Sequence, residues 1–215
     1  MTEGIFNKIM LAVQDGESED CADLARSALE EGIEPLKIVD EGLSTGIRIV
    51  GEKFGCGEMF LPDLMMAVEA MKAGMEILQP ELDKRKIRKK SLGTVMMGTV
   101  FGDIHDIGKS IVTTMLEMNG YEVIDLGINI PTETLVKKIR ELNPDFLGLS
   151  AMLATTMREQ KEVVDAVKRE GLRDKVKILV GGAPVSEQWA EEIGADGYGA
   201  NAEVAVQLVN RLAAE

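Results

Sequence analysis

Residues 98–109 read Gly98-Thr99-Val100-Phe101-Gly102-Asp103-Ile104-His105-Asp106-Ile107-Gly108-Lys109, and this stretch decides the fold. It ends a short apolar run, Gly93–Val100, and opens at once onto an amphipathic helix over 107–119, so it is the loop of a strand–loop–helix unit. The same unit recurs downstream. Glu122–Leu126, Phe146–Ser150, Lys177–Val180 and a weaker Gly197–Tyr198 read as strands, with helices at about 132–142, 156–170, 186–193 and 202–213. Five βα units in succession predict a five-stranded parallel sheet with helices on both faces. Ligands of such sheets bind outside the carboxyl ends of the strands, beside the point where the strand order reverses. The 98–109 loop lies at that edge.

Upstream the period changes. From Thr2 to about Glu81 apolar residues recur at helical spacing. Ile5, Phe6, Ile9, Met10 and Val13 form one stripe, and Leu24, Ala25, Ala28 and Leu29 a second, stopped by Gly32. Leu36, Val39, Leu43, Ile47, Val50 and Phe54 form a third; Leu61, Leu64, Met65, Val68, Met71, Met75 and Leu78 form a fourth. Pro35 and Pro62 fall in first turns, where the missing N–H has no helical partner to lose. Four short helices with tight connections predict an all-α bundle over residues 1–81. Residues 82–91 are charged and aperiodic and read as a linker, which leaves 92–215 for the α/β domain. Several of the 13 methionines fall between Met59 and Met75, and most of that stripe is expected in the bundle core. Cys21 and Cys56 form no CxxC pair. Both fall in helical patterns and are expected to be buried or half-buried free thiols in a reducing, cytoplasmic setting.

A formal net charge of −13 over 215 residues argues against nucleic acid as a partner, because phosphate binding needs clustered Lys and Arg. The one basic cluster, Lys84 to Lys90, sits in the linker and reads as a solvated hinge. No apolar run approaches the roughly 20 residues that span a bilayer. The first residues carry an early acid rather than a basic segment before an apolar core, which argues against a signal peptide.

His105 is the only histidine in the chain. Three features make it a candidate metal ligand. It lies at the ligand edge of the sheet, in a loop where Gly98, Gly102 and Gly108 let a bulky group approach the backbone. Asp103, two residues before it, is placed to accept the proton of one ring nitrogen and leave the other as a ligand. No second histidine or CxxC pair exists to complete a zinc site. A lone histidine suits a metal that brings its own equatorial ligands, as in a tetrapyrrole-type cofactor. Ser150 ends the third strand and Gly181-Gly182 follow the fourth. Alone, Ser150 reads equally well as a strand end and the glycine pair as a tight turn. Thr156 with Glu159 also fits a helix capping box.

Taken together, Asp103-x-His105-x-x-Gly108, then Ser150, then Gly181-Gly182 resembles the fingerprint of cobalamin-binding domains in which the benzimidazole tail leaves the cobalt and a histidine replaces it. The preceding bundle resembles the cap of the methionine synthase cobalamin region. A bundle plus this domain, over essentially the whole chain, resembles the corrinoid proteins of methylamine and methanol methyltransferase systems. The runs 102–109 and 181–186 look nearest to the methylamine and quaternary-amine type. The resemblance implies a flavodoxin-like (Rossmann-like) corrinoid domain behind an all-α cap. It implies that His105 ligates the cobalt of a methylcobalamin or related cobamide, that Asp103 is its carboxylate partner, and that Thr156 completes the hydrogen-bonded chain. Gly102, Ile104, Asp106, Ile107 and Gly108 would line the cofactor around His105. Ser150, Met152, Thr155, Gly181, Gly182, Ala183 and Tyr198 would line its tail, and Phe60, Leu61 and Met65, beside Leu64, the upper face. Two positions depart from the family's pattern: Met152 stands where leucine is usual, and Ala154 where threonine is common.

The implied function is that of a methyl carrier, a component of a multi-protein system and not an autonomous enzyme. Co(I) would take a methyl group from a donor on a substrate:corrinoid methyltransferase. Methyl-Co(III) would then pass it to a second methyltransferase, for tetrahydrofolate or a thiol coenzyme, with a reductive activation protein as further partner. The cofactor would carry the chemistry while the protein ligates, shields and presents it. Other classes share parts of this layout. A cobalamin-dependent sensor would need a DNA-binding segment, an adenosylcobalamin mutase subunit would lack the bundle, and a receiver domain would need clustered acids and a late lysine.

Overall fold

Helical spacing in the first 80 residues becomes a bundle whose faces are set by which side chains are small enough to pack. In the computed structural model, which describes residues 2–85 and 91–214, the chain divides into two compact units, Met1–Lys90 and Ser91–Glu215. The first holds α1 (Thr2–Gln14), α2 (Ser18–Glu30), α3 (Pro35–Lys37), a π-helical segment Ile38–Leu43, α4 (Ser44–Gly55) and α5 (Leu61–Lys84). Gly32, at φ 78°, ends α2, a backbone region that glycine enters without steric cost. The Phe60 N–H donates to the Asp63 side chain at 2.8 Å and so secures the start of α5. Ile9, Val13, Ile38, Leu43, Ile47, Val50, Leu64 and Leu78 have no exposed surface and form the core.

Four expectations need correction. The third helix is not uniform: the π segment admits an extra residue into a turn and rotates the apolar faces on either side, which helical spacing alone does not reveal. The fourth is not short. α5 runs 24 residues, past Pro80 to Lys84, and so takes in the first residues read as linker; residues 86–90, the rest of the basic cluster, lie outside the described residues. The methionine stripe is not the core of α5. That core is Leu64, Ala67, Ala70, Gly74 and Leu78, because small side chains let α5 close on α2, and a Cβ on Gly74 would lie 3.1 Å from Cys21 Sγ. Met65 and Met66 are exposed instead. Finally, Cys56 is exposed, in the turn that ends α4, while Cys21 is buried, and burial pushes its thiol up to about 11.

The second unit alternates β1 (Thr94–Thr99), α6 (Ile107–Met118), β2 (Glu122–Asp125), α7 (Thr132–Leu142), β3 (Phe146–Ser150), α8 (Met157–Arg169), β4 (Lys177–Gly181), α9 (Glu187–Ile193), β5 (Gly197–Gly199) and α10 (Ala202–Ala213). A 3₁₀ turn at Arg173–Lys175 precedes β4. All pairings are parallel, in the order β2-β1-β3-β4-β5. This is the flavodoxin-like order, whose switch point lies between β1 and β3. Side chains alternate across a strand, so each face has its own core. Met96, Leu147, Leu149, Ile178 and Val180 pack with Val136, Val163, Val164 and Ile193 of α7, α8 and α9. On the other face, Phe146 meets Tyr121 edge-on at 6.2 Å beneath α6 and α10.

In the bundle, a Cβ at Gly46 would lie 2.8 Å from Met10 O and 2.9 Å from Val13 Cβ, so glycine sets how closely α4 approaches α1. Gly46→Ala is expected to lower stability by about 1–3 kcal/mol, read as an earlier midpoint in urea; an unchanged midpoint would contradict this packing.

Candidate functional site

β1 delivers residues 100–106 to the carboxyl edge of the sheet, and hydrogen bonds fold that loop around one side chain. Asp103 has no exposed surface. Its Oδ1 accepts from His105 Nδ1 at 2.7 Å and from the His105 backbone N–H at 3.1 Å. Its Oδ2 accepts from the Met152 N–H at 2.7 Å and the Thr156 hydroxyl at 2.5 Å. Two donors come from its own loop and two from the loop after β3. Burial opposes ionisation, but the hydrogen bonds from Thr156, Met152 and His105 outweigh it and hold the Asp103 carboxyl well below the usual carboxylate range. An ionised carboxylate only accepts, so His105 donates from Nδ1 and keeps Nε2 as its acceptor nitrogen. The His105 side chain is about half exposed, at 51%.

Further bonds fix the loop itself. The Thr99 hydroxyl donates to the His105 carbonyl at 3.0 Å. Asn129, left-handed at φ 54°, accepts from the Gly102 N–H at 2.7 Å and donates from its own N–H to the Asp103 carbonyl at 3.0 Å. Lys109, buried in the first turn of α6, pairs with Asp125 at the end of β2. Asp103 therefore sits where the loops after β1, β2 and β3 are tied together.

The structure joins His105, Met152 and Thr156 through Asp103; Thr155 is exposed beside Thr156. Ile104 and Ile107 are each 70% exposed. The Thr156 hydroxyl is used on Asp103 and makes no cap bond to α8, so the capping-box alternative is not realised. Ser150 and Gly181 are register partners in adjacent strands, and Gly182 follows at φ 125°, where a Cβ would fall 1.7 Å from the Ala151 carbonyl oxygen. Ala183 is exposed beyond that turn. Tyr198 is not brought to Ser150. It pairs with Val180 and packs on the α8–α9 side of the sheet. Phe60, Leu61 and Met65 belong to the helical unit, with Phe60 and Met65 exposed and Leu61 half-buried.

Residues that sequence reading passed over complete the picture. Lys109, Asp125 and Asn129 hold the loops, and no local pattern marks them, because each acts across strands. Phe101, Ile128 and Leu153 join Ile104, Met152 and, at the start of α6, Ile107 as exposed apolar side chains at this edge. Exposed apolar residues clustered on polar loops are the signal that was available.

The profile of the "B12 binding domain" family matches residues 93–207, and a second profile of that description matches residues 5–79. The chain belongs to the B12-binding corrinoid proteins. It is 46% identical to the trimethylamine corrinoid protein of Methanosarcina barkeri, over 96% of this chain and 95% of that one. It is 45% identical to a corrinoid protein of Desulfitobacterium hafniense strain Y51, over 99% of each. Among solved structures it is similar to the methanol:cobalamin methyltransferase complex of Methanosarcina barkeri, with a TM-score of 0.89 and 32% identity over 98% of this chain and 80% of that one. A cobalamin-binding protein of Desulfitobacterium hafniense DCB-2 matches with a TM-score of 0.75 and 35% identity, over 96% of this chain and 98% of that one. Its cofactor is accordingly a corrinoid, and no helix among the described residues is long and apolar enough to cross a membrane.

The chemistry of the edge fits such a cofactor. Among the described residues no cluster of three His, Cys, Asp or Glu could hold a metal ion, and His105 offers a single ring nitrogen to this edge. The exposed apolar side chains around His105 suit a broad macrocycle. On the α6–α10 face a row of small residues, Thr99, Ser150, Gly181 and Gly199, runs across four strands. Thr113 of α6 adds a buried hydroxyl oxygen with no hydrogen-bond partner among the described residues.

Asp103→Asn places an amide N–H₂ among four donors, and the apo protein is expected to lose roughly 2–4 kcal/mol. The sign of the pH dependence follows from the lowered carboxyl: its contribution is complete above the ordinary carboxylate range and is lost as pH falls toward the folded-state value. Urea titrations should show the gap between wild type and variant narrowing only in acid. A gap independent of pH would contradict an ionised Asp103.

Proposed function

We propose that His105 would ligate the corrinoid cobalt, and that the chain is a methyl carrier between two methyltransferases. The observation that carries this reading is a single half-exposed imidazole whose Nδ1 is fixed by a buried, ionised carboxylate, on an edge with no other metal-ligating cluster among the described residues. When bound, the corrinoid supplies a cobalt centre that takes up and releases a methyl group. The protein's part is orientation and proton control. Asp103 holds the Nδ1 proton, so Nε2 is the nitrogen offered to the metal, and the negative charge behind the ring makes it a better donor. Thr156 and the Met152 N–H keep that carboxylate from turning away. Ile104, Ile107 and Met152 give the macrocycle an apolar surround. Ser150 and the Gly181-Gly182 turn, where no side chain stands in the way, receive the nucleotide tail. In the helical unit, Phe60 and Met65 are exposed and Leu61 half-buried, an apolar surface of its own.

The donor in this reading is a methylated amine, supported by the trimethylamine and dimethylamine corrinoid proteins among its relatives. The acceptor enzyme serves tetrahydrofolate or a thiol coenzyme, a reductive activator restores the cobalt, and the setting is the cytoplasm, as two free cysteines suggest.

His105→Ala is expected to retain corrinoid through the tail but to change its visible spectrum and cobalt midpoint potential. An unchanged spectrum and midpoint would remove the ligand assignment. For the donor, reconstituted protein mixed with amine-specific or methanol-specific methyltransferases should show spectral methylation with the amine systems; methylation by the methanol system alone would overturn that choice.

A further inference from the structure

Gln160, in the second turn of α8, has no exposed surface, yet it is a polar side chain in an apolar core of Val163, Val164 and Val167. Every polar atom it has is used. Its Nε2 donates to the Leu149 carbonyl at 3.0 Å and to the Gly181 carbonyl at 3.1 Å, and its Oε1 accepts from the Trp189 indole N–H at 3.1 Å. Only one amide orientation satisfies this set, since two partners only accept and the third only donates. Trp189, the sole tryptophan, thereby locks the amide with its donors facing the strands.

The two carbonyls it holds belong to the peptides that lead into Ser150 and Gly182. Leu149 packs on the α8 side; Ser150 and its register partner Gly181, one position on in each strand, face the other way. The glutamine therefore reaches the ends of β3 and β4 from behind, on the face opposite the small-residue row. The Gly181 carbonyl also accepts from the Ala151 N–H at 3.1 Å, so the turn at Gly182 and the loop after β3 are set by the same bracket.

We propose that Gln160, oriented by Trp189, is a positioning residue for the nucleotide tail of the corrinoid: it fixes the Ser150 and Gly181-Gly182 backbone without touching the cofactor. This rests on the reading that those residues receive the tail. The proposal separates from a merely structural role through a ligand that lacks the tail. Cobinamide has the corrin ring and no nucleotide, so it needs His105 and the apolar surround but not the strand-end backbone.

The experiment measures the affinity of the apo protein for cobalamin and for cobinamide, in wild type, Gln160→Met and Trp189→Phe. Met keeps the volume of Gln160 and donates nothing. Trp189→Phe removes one hydrogen bond at a half-buried position, so it keeps the test open if Gln160→Met does not fold. The expected result is a cobalamin affinity about tenfold weaker in Gln160→Met and about threefold weaker in Trp189→Phe, with cobinamide affinity and the visible spectrum of bound cobinamide unchanged. Equal losses for both ligands, or a cobalamin preference untouched in the variants, would overturn the role of Gln160 while leaving the tail reading in place. A wild type that binds both ligands equally would overturn the tail reading itself, and the proposal with it.

Discussion

A carboxylate with no contact to solvent has to be surrounded by donors, and the second unit is organised around that requirement at Asp103. Burying the charge costs several kcal/mol even after relaxation. Four hydrogen bonds, each worth about 1.5–3 kcal/mol to a charged group, offset it, and they come from two separate loops. The constraint runs in both directions. Asp103 holds the His105 ring and the 152–156 loop in place, and those groups keep Asp103 ionised. The site cannot loosen at one loop without leaving a buried charge short of partners, so the loop that carries His105 is tied down on both sides.

The sheet divides its labour by face. On the α7–α9 side the strand ends carry Val100, Leu149 and Val180, which fill the core. On the α6–α10 side the matching row is Thr99, Ser150, Gly181 and Gly199, too small to fill the same volume. The same strand ends therefore provide stability on one side and room on the other, and Gln160 reaches them from the packed side. The bundle makes a parallel choice. Its longest helix buries alanine and glycine against α2 and leaves Met65 and Met66 exposed.

Much of this was legible in the sequence because the decisive features are local. Period-2 runs, helical stripes and a strand–loop–helix junction place β1 to β5 and α6 to α10 to within a residue or two. Asp103 and His105 are two residues apart, so their contact follows from an Asx-type turn. What escaped is non-local or depends on size. The Lys109–Asp125 pair joins α6 to β2, and the Asn129 clamp joins the loops after β1 and β2. The π segment breaks a helix without altering its composition. Tyr198, which the resemblance puts at the tail, packs on the α8–α9 side of the sheet, and a three-residue strand shows too few alternations to fix that from sequence. Helical spacing places Leu64 and Leu78 correctly in the core of α5 but also puts Met65 there, where the small Ala67, Ala70 and Gly74 take the packed face instead.

The central claim is that the one imidazole of the chain reaches the cobalt. Because the sequence holds a single histidine, labelling with ¹⁵N-histidine marks one side chain without any mutation. Electron paramagnetic resonance of the protein with its corrinoid in the cobalt(II) state should then show the axial nitrogen splitting change from the triplet of ¹⁴N to the doublet of ¹⁵N. A splitting that stays a triplet in the labelled protein, or no axial nitrogen splitting at all, would contradict ligation by His105.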